Sequence, residues 1–408
     1  MYLSLSRTFL GVVYVHLCLA LNIIINNDDG FASAQTREVR STCAIQMDGH
    51  HYSQQSLIQL YRALNAAGHN AWIVAPVYDQ SGQGGRIVFA TKANLTRAGE
   101  YNSVSSKAPS YGTDTHDSHV WYYDGTPAAC TFFALDYVVP NHWNGTTPDL
   151  FVTGPNFGNN IGPLLYTLSG TVAAAYSAVG RGFPAIAFSA GSYGPSRGYQ
   201  SVAGSTTVGL PDPATIIGNL STQLVNELAA HAEGGRLLPY GYGLTVNYPV
   251  ITSMTGSSCL NPPFIRTRIT GGAPVTRAVF DPSTGLFSGQ NIAPNDGLNT
   301  CGNGDCSLPG EATVLSSCQS SVSAFTVDYD APNSNVTRSV FQALQRLVTS
   351  ESEAKNYTAS SSGNIPSVAG SAVAASPSSG DAAISRGHSP NYLQLILAAI
   401  VLALHIPT

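Results

Sequence analysis

Charged side chains are scarce in this chain of 408 residues, making up 10% of it, and the formal net charge is only −5. A protein that follows a nucleic-acid backbone needs a basic face, and this composition offers none. We therefore expect no polymeric nucleic acid as a partner. The hydrophobic content of 43% is ordinary for a packed globule, so the chain has enough apolar residues for one large α/β domain with an extension, or for two domains.

Three signature motifs of other enzyme classes are missing as well. The sequence contains no Arg-His-Gly signature of the histidine phosphatases. It also contains neither a Walker loop nor the Gly-x-Gly-x-x-Gly fingerprint of dinucleotide-binding domains. Histidine-phosphatase chemistry and these two kinds of nucleotide-cofactor site are therefore not expected.

Residues 1–20 have the pattern of a secretory signal peptide. Arg7 precedes an apolar run from Phe9 to Leu19, and Ala20 supplies a small residue for cleavage. The run is roughly half of the about 20 residues that cross a bilayer. The pattern predicts secretion, with a membrane anchor as the alternative.

Two further features agree with an extracellular location. Asn-x-Ser/Thr sequons predict N-glycosylation at Asn94, Asn144, Asn219, Asn335 and Asn356. The C-terminal half contains Cys259, Cys301, Cys306 and Cys318. An oxidising compartment favours pairing such cysteines, so we expect two disulfides, whose connectivity the sequence leaves open.

The C-terminus resembles a signal for a glycosylphosphatidylinositol (GPI) anchor. Residues 346–380 are predicted to be a flexible stalk, because the sequence from Thr358 to Ser389 is dominated by Ser, Ala, Gly and Pro. An apolar segment from Tyr392 to Ile406 ends the chain, about ten residues after a group of small residues. We expect residues 381–408 to be a propeptide and Gly380 the attachment point. The alternative is a short C-terminal core helix.

Two adjacent acids follow the first predicted strand. Leu21–Asn26 is a continuous apolar run of the kind found in strands buried on both faces of a parallel sheet. Asp28 and Asp29 come directly after it, followed by Gly30. Open α/β sheets bind ligands at the carboxyl ends of their strands, and paired carboxylates suit a hard divalent cation. An Asx turn without a ligand is the alternative.

Polar loops follow two more predicted strands. The strand at 72–76 runs into a glycine-rich loop containing Ser81, and the strand at 150–152 runs into a loop with Asn156 and Asn160. Glycines at this density let backbone N–H groups approach an anion. Ser169 opens an alanine-rich helix, whose N-terminus is suited either to phosphate or to a simple N-cap.

Taken together, five motifs in this order resemble the SurE family of survival proteins, which are nucleotidases and acid phosphatases. They are Asn-Asp-Asp-Gly at 27–30, Ala-Pro-x-x-x-x-Ser-Gly at 75–82, Gly-Thr-Pro-x-x-Cys at 125–130, Gly-x-Asn-x-Gly-x-Asn-x-Gly at 154–162 and Ser-Gly-Thr-Val-Ala-Ala-Ala at 169–175. The resemblance is to secreted eukaryotic members. It implies an α/β, Rossmann-type layered fold with a mostly parallel central sheet and a β-rich C-terminal extension.

The resemblance also implies an activity and a set of site residues. The activity is metal-dependent hydrolysis of nucleoside monophosphates or other phosphate esters by an activated water, with Mg²⁺ or Mn²⁺ as cofactor and a possible homodimer. Asp28 and Asp29 are the implied catalytic residues. The implied metal ligands are Asp28, Asp29, Ser81 and Asn156. The implied phosphate-binding residues are Asn160, Ser169, Gly170 and Thr171. Cys130 is expected to be a buried small side chain rather than a nucleophile.

The predicted phosphatase domain spans residues 21–345, with a motif-bearing core at 21–190 and an extension at 191–345. An atypical insert at 39–59 interrupts it, and removing the insert joins two halves of a helix in register. We interpret the insert as a possible retained intron; the alternative is an extra metal site at Asp48, His50 and His51. A second polar cluster, containing Asp114, His116, Asp117 and His119, is predicted to be a solvated loop rather than a transition-metal site.

Two other functions remain open on the sequence. The first is a catalytically impaired secreted or cell-surface module that keeps the SurE-like fold, with the insert disrupting the neighbouring site. The second is a carbohydrate-binding or adhesion module, which the stalk and the sequons also suit. The adjacent carboxylates favour the enzyme, because a purely structural module has no need for them at a strand edge.

Overall fold

The computed structural model describes the part of the chain that forms the domain. The described residues are 20–32, 59–191, 198, 202, 204–232, 234–271, 273, 276–291, 301–302 and 304–350. They all belong to one unit, Met1–Ser361. Several predicted features lie outside the described residues. They are residues 1–19 of the signal peptide, residues 39–58 of the insert, residues 351–380 of the stalk with Asn356 and Gly380, and the propeptide at 381–408.

The described residues form a sheet flanked by helices, with a separate hairpin. The strands are β1 Asn22–Asn26, β2 Asn70–Pro76, β3 Tyr111–Thr113, β4 Val120–Tyr123, β5 Leu150–Phe157, β6 Ala185–Ala190, β7 Tyr242–Tyr248, β8 Phe264–Arg266, β9 Thr276–Asp281, β10 Leu286–Asn291, β11 Ser320–Thr326, β12 Tyr329–Asp330 and β13 Val348–Thr349. The helices are α1 Gln59–Ala66, α2 Pro127–Phe133, α3 Val139–His142, α4 Gly162–Leu168, α5 Gly170–Gly180, α6 Pro213–Ala232, α7 Glu311–Leu315 and α8 Asn335–Ala343. A π-helical segment, Ala134–Val138, joins α2 to α3.

The large sheet has the strand order β13-β8-β11-β7-β6-β5-β1-β2-β4-β3, and β12 pairs with β11. Strands β7, β6, β5, β1, β2 and β4 run parallel to their neighbours in this order. β11 is antiparallel to β7, and β3 is antiparallel to β4. The predicted fold class, an α/β layered fold with a mostly parallel central sheet, is therefore confirmed.

Helices cover both faces of the sheet, as a continuous apolar strand requires. In β1, Ile23 and Ile25 point to a core that contains side chains of α1, α6 and α8. Ile24 points to the other core, which contains side chains of α2, α3 and α5. All three isoleucines are fully buried. The alternation of side chains along a strand thus explains why β1 is apolar at successive positions.

Several predicted elements agree with the structure, and the strands predicted at 72–76 and 150–152 are longer than predicted. α1 ends at Ala66, shortly before Gly68, whose φ of +92° favours glycine at a helix end. The strand predicted at 150–152 continues to Phe157, because a register shift between Thr153 and Asn156 lets the chain pass through Gly154-Pro155 and pair again with β6. α1 begins at Gln59, the last residue of the predicted insert.

The C-terminal extension completes the sheet instead of forming a separate layer. It contributes β7, β8, β11 and β12 to the sheet, while β9 and β10 form an antiparallel hairpin. The sheet also includes β13, which pairs with β8 and lies within the segment predicted as stalk, so the domain continues past the predicted boundary at residue 345. Its cysteines form two disulfides, Cys259–Cys318 and Cys301–Cys306. The expected number of bridges is therefore present, and the connectivity is now defined. Among the described helices, none has both the length and the apolar character needed to cross a membrane.

Candidate active site

The candidate site lies at the carboxyl ends of the central strands. β1 is paired with β2 on one side and with β5 on the other, so the connections leaving it diverge here. This is the point of a doubly wound sheet at which a crevice opens for a ligand. Asp28 and Asp29 follow β1 at this position and are both buried, with exposed fractions of 2% and 5%.

Asp28 is held by the first turn of α5. The Thr171 hydroxyl donates to Oδ1 of Asp28 at 2.5 Å, and the Thr171 N–H donates to Oδ2 at 3.1 Å. Both carboxylate oxygens are therefore fixed by one residue that is itself fully buried. The N-terminus of a helix also carries a partial positive charge, which favours a carboxylate at this position.

Asp29 is held by β5. Its Oδ2 accepts a hydrogen bond from the Phe157 N–H at 2.8 Å and another from Nδ2 of Asn27 at 3.1 Å. The Asn27 side chain also accepts from the Asp28 N–H at 2.9 Å, and its Oδ1 lies 3.1 Å from the Thr171 hydroxyl oxygen, whose one proton is shared between Asn27 and the closer Asp28. Asn27 thus connects the two acids to each other and to α5.

Gly170 permits the close approach of α5 to the acid pair. A Cβ atom at this position would lie 2.8 Å from Cγ of Pro127 and 2.9 Å from Cβ of Asp28. Carbon atoms do not approach so closely, so any larger residue would displace the helix or the acid. Gly170 therefore serves the site through its lack of a side chain.

The electrostatic environment opposes ionisation of both carboxyls. Burial is the main cause that raises the pKa of Asp28, and the nearby Asp79 adds to it, while the Thr171 hydrogen bonds lower the pKa. Burial raises the pKa of Asp29 well above its ordinary value, with repulsion from Asp28 and Asp79 as further causes. Among the described residues, no basic side chain forms a salt bridge with either acid. The pair is thus a buried set of like charges that a cation would stabilise.

The loop after β2 comes to the same edge. The Gln80 N–H donates to the backbone oxygen of Asp28 at 2.8 Å. Ser81 is exposed, and both its hydroxyl and its N–H donate to Oδ1 of Asp79, at 2.7 and 2.8 Å. The structure therefore brings the loop of Ser81 to the acid pair, with the Ser81 hydroxyl engaged by Asp79.

The two predicted asparagines belong to the segment that contains the end of β5 and the loop after it. Asn156 stands in β5 after the register shift, and its Nδ2 donates to the Gly158 oxygen at 2.8 Å. Asn160 lies farther along the loop, where its Nδ2 donates to the Ser189 hydroxyl at 2.8 Å. Its backbone N–H and oxygen bond to the side chain of Asn247 in β7. Asn160 is thus fixed mainly by β6 and β7.

Ser169 has the geometry of an N-cap. Its side-chain oxygen accepts the Val172 N–H at 3.1 Å, and the residue joins the end of α4 to the start of α5. The Thr171 donors are directed to Asp28, as described above. The structure therefore brings Gly170 and Thr171 to the acid pair. Phosphate binding by Asn160, Ser169, Gly170 and Thr171 stays a prediction.

The other candidate groups have structural partners. Cys130 is a free, fully buried cysteine, and burial raises the pKa of its thiol well above the ordinary value. In the second polar cluster, Asp117 accepts from the Tyr61 hydroxyl, and His119 stacks on Trp72. Across the described residues, no group of three or more His, Cys, Asp or Glu side chains could hold a metal ion. The predicted cation site depends instead on two carboxylates with amide and hydroxyl oxygens.

Two residues of the site were not predicted from the sequence. Asn27 connects both acids to α5, and Asp79 raises the pKa of both acids and holds Ser81. Both stand inside or next to motifs that were identified, at 27–30 and 75–82. The position of each residue within a motif could have indicated its role, because Asn27 directly precedes Asp28 and Asp79 stands two residues before Ser81.

Comparisons with known proteins find similar phosphatases and nucleotidases. An acid phosphatase of Yarrowia lipolytica is 39% identical over 327 residues, which cover 78% of this chain and 83% of the relative. The 5'-nucleotidases SurE of Desulfovibrio desulfuricans and of a Synechocystis species are 30% and 32% identical, over 42% and 41% of this chain. These two matches cover only 51% and 47% of the bacterial relatives. The crystal structure of the SurE protein from Aquifex aeolicus aligns with a TM-score of 0.46 at 20% identity, over 78% of this chain and 97% of that one.

A family model supplies the remaining comparison. The model described as survival protein SurE matches residues 23–259, which include all five motifs and the acid pair. The matched region runs from β1 through Cys259, and thus extends beyond the motif-bearing core. This chain belongs to the SurE family.

Proposed function

We propose that this protein hydrolyses nucleoside monophosphates or other small phosphate esters with the help of a divalent cation held at Asp28 and Asp29. The enzyme class is that of its relatives, phosphoric monoester hydrolases, whose names are acid phosphatase and 5'-nucleotidase SurE. The observation that carries the proposal is the buried acid pair at the carboxyl end of β1, fixed by α5 and β5.

The residues at the site suit a hard cation. Oxygen atoms of carboxylates, amides and hydroxyls are the ligands that Mg²⁺ and Mn²⁺ take in proteins. Asp28 and Asp29 supply the negative charge, and both have pKa values raised by burial, which a bound cation would reverse. Asn156 and Ser81 would complete the set on the β5 side and the β2 side.

A divalent cation at this position would polarise a phosphoryl oxygen and lower the pKa of a water molecule, so that no covalent enzyme intermediate is needed. The protein's own contribution is to fix the acids before the substrate arrives. Thr171 and Asn27 hold Asp28 and Asp29 in place, and Phe157 donates its N–H to Asp29. Burial at this position excludes bulk water from the carboxylates, which strengthens their electrostatic effect.

The proposal is tested by hydrolysis of p-nitrophenyl phosphate and of AMP by the secreted protein, with EDTA and with added Mn²⁺. We expect turnover that EDTA removes and Mn²⁺ restores. Asp28→Asn should lower kcat/KM by at least about 100-fold, as the loss of a central electrostatic group does in a buried site. The matched control is Asp136→Asn, since Asp136 is a surface residue paired with Arg181 at 2.8 Å.

The same assay addresses the insert and the inactive alternative. A version lacking residues 39–59 is assayed beside the full chain. Activity in the shortened chain alone would identify the insert as disruptive. No hydrolysis by any version with any metal would contradict the phosphatase proposal for these substrates and favour a surface module that keeps the fold.

We also propose that the protein is secreted or held at the cell surface, and that its sequons are glycosylated. Four of the five sequon asparagines lie in the described residues and all four are exposed, namely Asn94, Asn144, Asn219 and Asn335. The two disulfides agree with an oxidising compartment.

Two experiments test this proposal. Deglycosylation should lower the apparent mass of the protein, and a phosphatidylinositol-specific phospholipase should release the protein from cells. Release of the protein without the phospholipase would contradict the lipid anchor at Gly380.

A further inference from the structure

Glu311 is a buried carboxyl in the C-terminal extension that bonds to the loop after β5. It is the first residue of α7 and has an exposed fraction of 0%. Its Oε2 accepts the Gly162 N–H at 2.8 Å, and its Oε1 accepts the Ser323 hydroxyl at 3.0 Å. The side chain therefore joins β11 to the first residue of α4. A buried carboxyl is costly unless it is paired or hydrogen-bonded, so such a residue calls for a reason.

α4 is a short helix with a candidate phosphate-binding segment at each end. Asn160 stands two residues before its first residue, Gly162, and Ser169 directly follows its last residue, Leu168. Because Ser169 also caps α5, a shift of α4 would move the Gly170-Thr171 turn against Asp28. The hydrogen bond between Glu311 and Gly162 is therefore in a position to fix both the loop that contains Asn160 and the turn at 169–171.

The surroundings of Glu311 make this contact specific. α7 is itself anchored, because the Arg268 N–H donates to the Pro309 oxygen at 3.1 Å and Cys318 is joined to Cys259. Ser323 is held in turn by Thr267, with 2.7 Å between their hydroxyl oxygens. The N–H of Gly162 thus meets an acceptor on a rigid part of the extension. Gly162 must also be small, since a Cβ there would lie 2.5 Å from Cβ of Ala273.

Two titratable groups of the described residues that interact with Glu311 are Asp330 and Tyr166. Burial raises the pKa of Glu311 to about 7, and Asp330 in β12 adds repulsion. The hydroxyl of Tyr166 in α4 has no hydrogen-bond partner among the described residues. Burial raises the pKa of Tyr166 well above its ordinary value, and Glu311 adds repulsion. In the ionised form Glu311 accepts both hydrogen bonds. In the neutral form it can still accept the Gly162 N–H while donating to Ser323, so the contact survives either state.

We propose that Glu311 is a positioning residue for substrate phosphate, which acts by fixing Gly162 and through it the segments at 158–162 and 169–171. This inference rests on the proposed phosphatase function and assigns a role to the C-terminal extension in it. Glu311 does not touch the substrate. It acts through the backbone of α4, and its effect falls on the affinity for phosphate more than on turnover.

The test compares Glu311→Ala and Glu311→Gln with the wild-type protein in Mn²⁺, using p-nitrophenyl phosphate as substrate and inorganic phosphate as competing ligand. We expect Glu311→Ala to raise KM and the phosphate inhibition constant on the order of tenfold, the effect of one lost buried hydrogen bond. We expect the change in kcat to be smaller. Glu311→Gln retains an acceptor for Gly162 and should stay within about twofold of wild type.

The control is Asp212→Ala. Asp212 is a buried carboxyl that accepts the Ala214 N–H at 2.9 Å at the start of α6, so it matches Glu311 in burial and in bonding to a helix start but stands outside α4 and the segments at 158–162 and 169–171. It should leave KM and phosphate inhibition unchanged. A wild-type KM in Glu311→Ala, or equal impairment of Glu311→Ala and Glu311→Gln, would overturn the positioning role. If Glu311→Ala does not fold, Ser323→Ala replaces it and should raise KM by a smaller factor; an unchanged KM there counts against the proposal.

A second measurement separates this inference from the proposed function. Hydrogen exchange of the peptides that cover residues 156–171 is followed in the same variants. Glu311→Ala should exchange faster there, and Asp212→Ala and Glu311→Gln should not. If the wild-type protein hydrolyses no phosphate ester, the proposed function fails, and exchange then decides alone whether Glu311 holds this segment. Unchanged exchange in Glu311→Ala would refute that role.

Discussion

Thr171 holds both carboxylate oxygens of Asp28, through its hydroxyl at 2.5 Å from Oδ1 and its N–H at 3.1 Å from Oδ2. The two residues are 143 positions apart in the sequence. One threonine at the start of α5 thus determines the orientation of the acid at the end of β1. This arrangement makes the site sensitive to changes that leave the acids themselves untouched.

The first prediction concerns the Thr171 hydroxyl. Thr171→Val keeps the shape of the side chain and removes its donor, so Asp28 loses one of the hydrogen bonds that orient it. Changes in residues that support a metal ligand typically cost about 10- to 100-fold in metal affinity or activity, and we expect a loss in this range. A titration with Mn²⁺, followed by calorimetry and by activity, measures it.

Thr171→Ser is the matched control, because serine keeps the hydroxyl. It should retain most of the Mn²⁺ affinity. Equal affinities in Thr171→Val and the wild-type protein would show that the hydroxyl does not orient a metal ligand.

The second prediction concerns Gly170. Gly170→Ala places a Cβ within 2.9 Å of Cβ of Asp28 and 2.8 Å of Cγ of Pro127. Overpacking of this kind costs about 1–3 kcal/mol, and here it also pushes the acid away from its position. We expect a lower midpoint in urea unfolding together with a loss of activity.

Gly180→Ala at the other end of α5 is the control. A Cβ at Gly180 meets nothing within 4 Å. Alanine is a better helix former than glycine, so this change should be neutral or slightly stabilising. Loss of activity in both variants would mean that α5 tolerates no alanine, and would remove the special role of Gly170.

The sequence predicts the acid pair well because its signal is local. A parallel strand that is buried on both faces must be apolar at successive positions, and the sequence of β1 has this pattern. Because Asp28 and Asp29 directly follow this strand, their position at its carboxyl end can be predicted from the sequence. The loops of Ser81 and Asn156 come to the same edge for the same reason. Parallel strands with crossover connections bring their carboxyl ends together whatever the loops contain.

What the sequence does not predict depends on contacts between distant segments. The Thr171 donors are directed to Asp28, and the Gly162 N–H is directed to Glu311 across 149 positions. Asn247 bonds to Asn160 across 87 positions. Neither Asn247 nor Glu311 belongs to a recognisable motif, because a hydrogen bond to a backbone group requires only one acceptor at one place. Tertiary packing alone brings that acceptor there.

The third prediction compares the two disulfides. Cys259 and Cys318 are 59 positions apart, whereas Cys301 and Cys306 are 5 positions apart. A cross-link restricts the unfolded chain more strongly when it closes a longer loop. Replacing both cysteines of a pair by serine should therefore cost about 4 kcal/mol for the long bridge and about 2 kcal/mol for the short one.

Unfolding in guanidinium chloride under oxidising conditions measures the two losses. The third variant in this comparison is Cys130→Ser, since Cys130 forms no disulfide and is buried among apolar side chains. We expect a modest decrease in its free energy of unfolding, because the serine hydroxyl is buried among apolar side chains. An equal or larger loss for the short bridge would contradict the loop-length argument.

The last prediction concerns pH and the Glu311 carboxyl. Its pKa is about 7 in the folded protein, against an ordinary value of 4.5. Between these values the folded state keeps a proton that the unfolded state has lost, so the stability contribution is present below about pH 4.5 and is lost as the pH rises through 7. A shift of this size corresponds to about 3 kcal/mol. Burial is the main cause that raises this pKa and Asp330 adds repulsion, while the Gly162 and Ser323 hydrogen bonds oppose the shift.

Glu311→Gln has no proton to lose and keeps the shape of the side chain. The variant should match the wild-type protein in free energy of unfolding near pH 4.5, become progressively the more stable of the two between pH 4.5 and 7, and keep a constant advantage above that range. Urea unfolding at a series of pH values from 4 to 8 measures the difference between the two proteins, which removes the contribution of all other titrating groups. A difference that stays constant across this range would show that Glu311 titrates alike in the folded and unfolded states. Burial of Glu311 would then carry no electrostatic cost, and Glu311 would not make the folded protein more stable at low pH than at neutral pH.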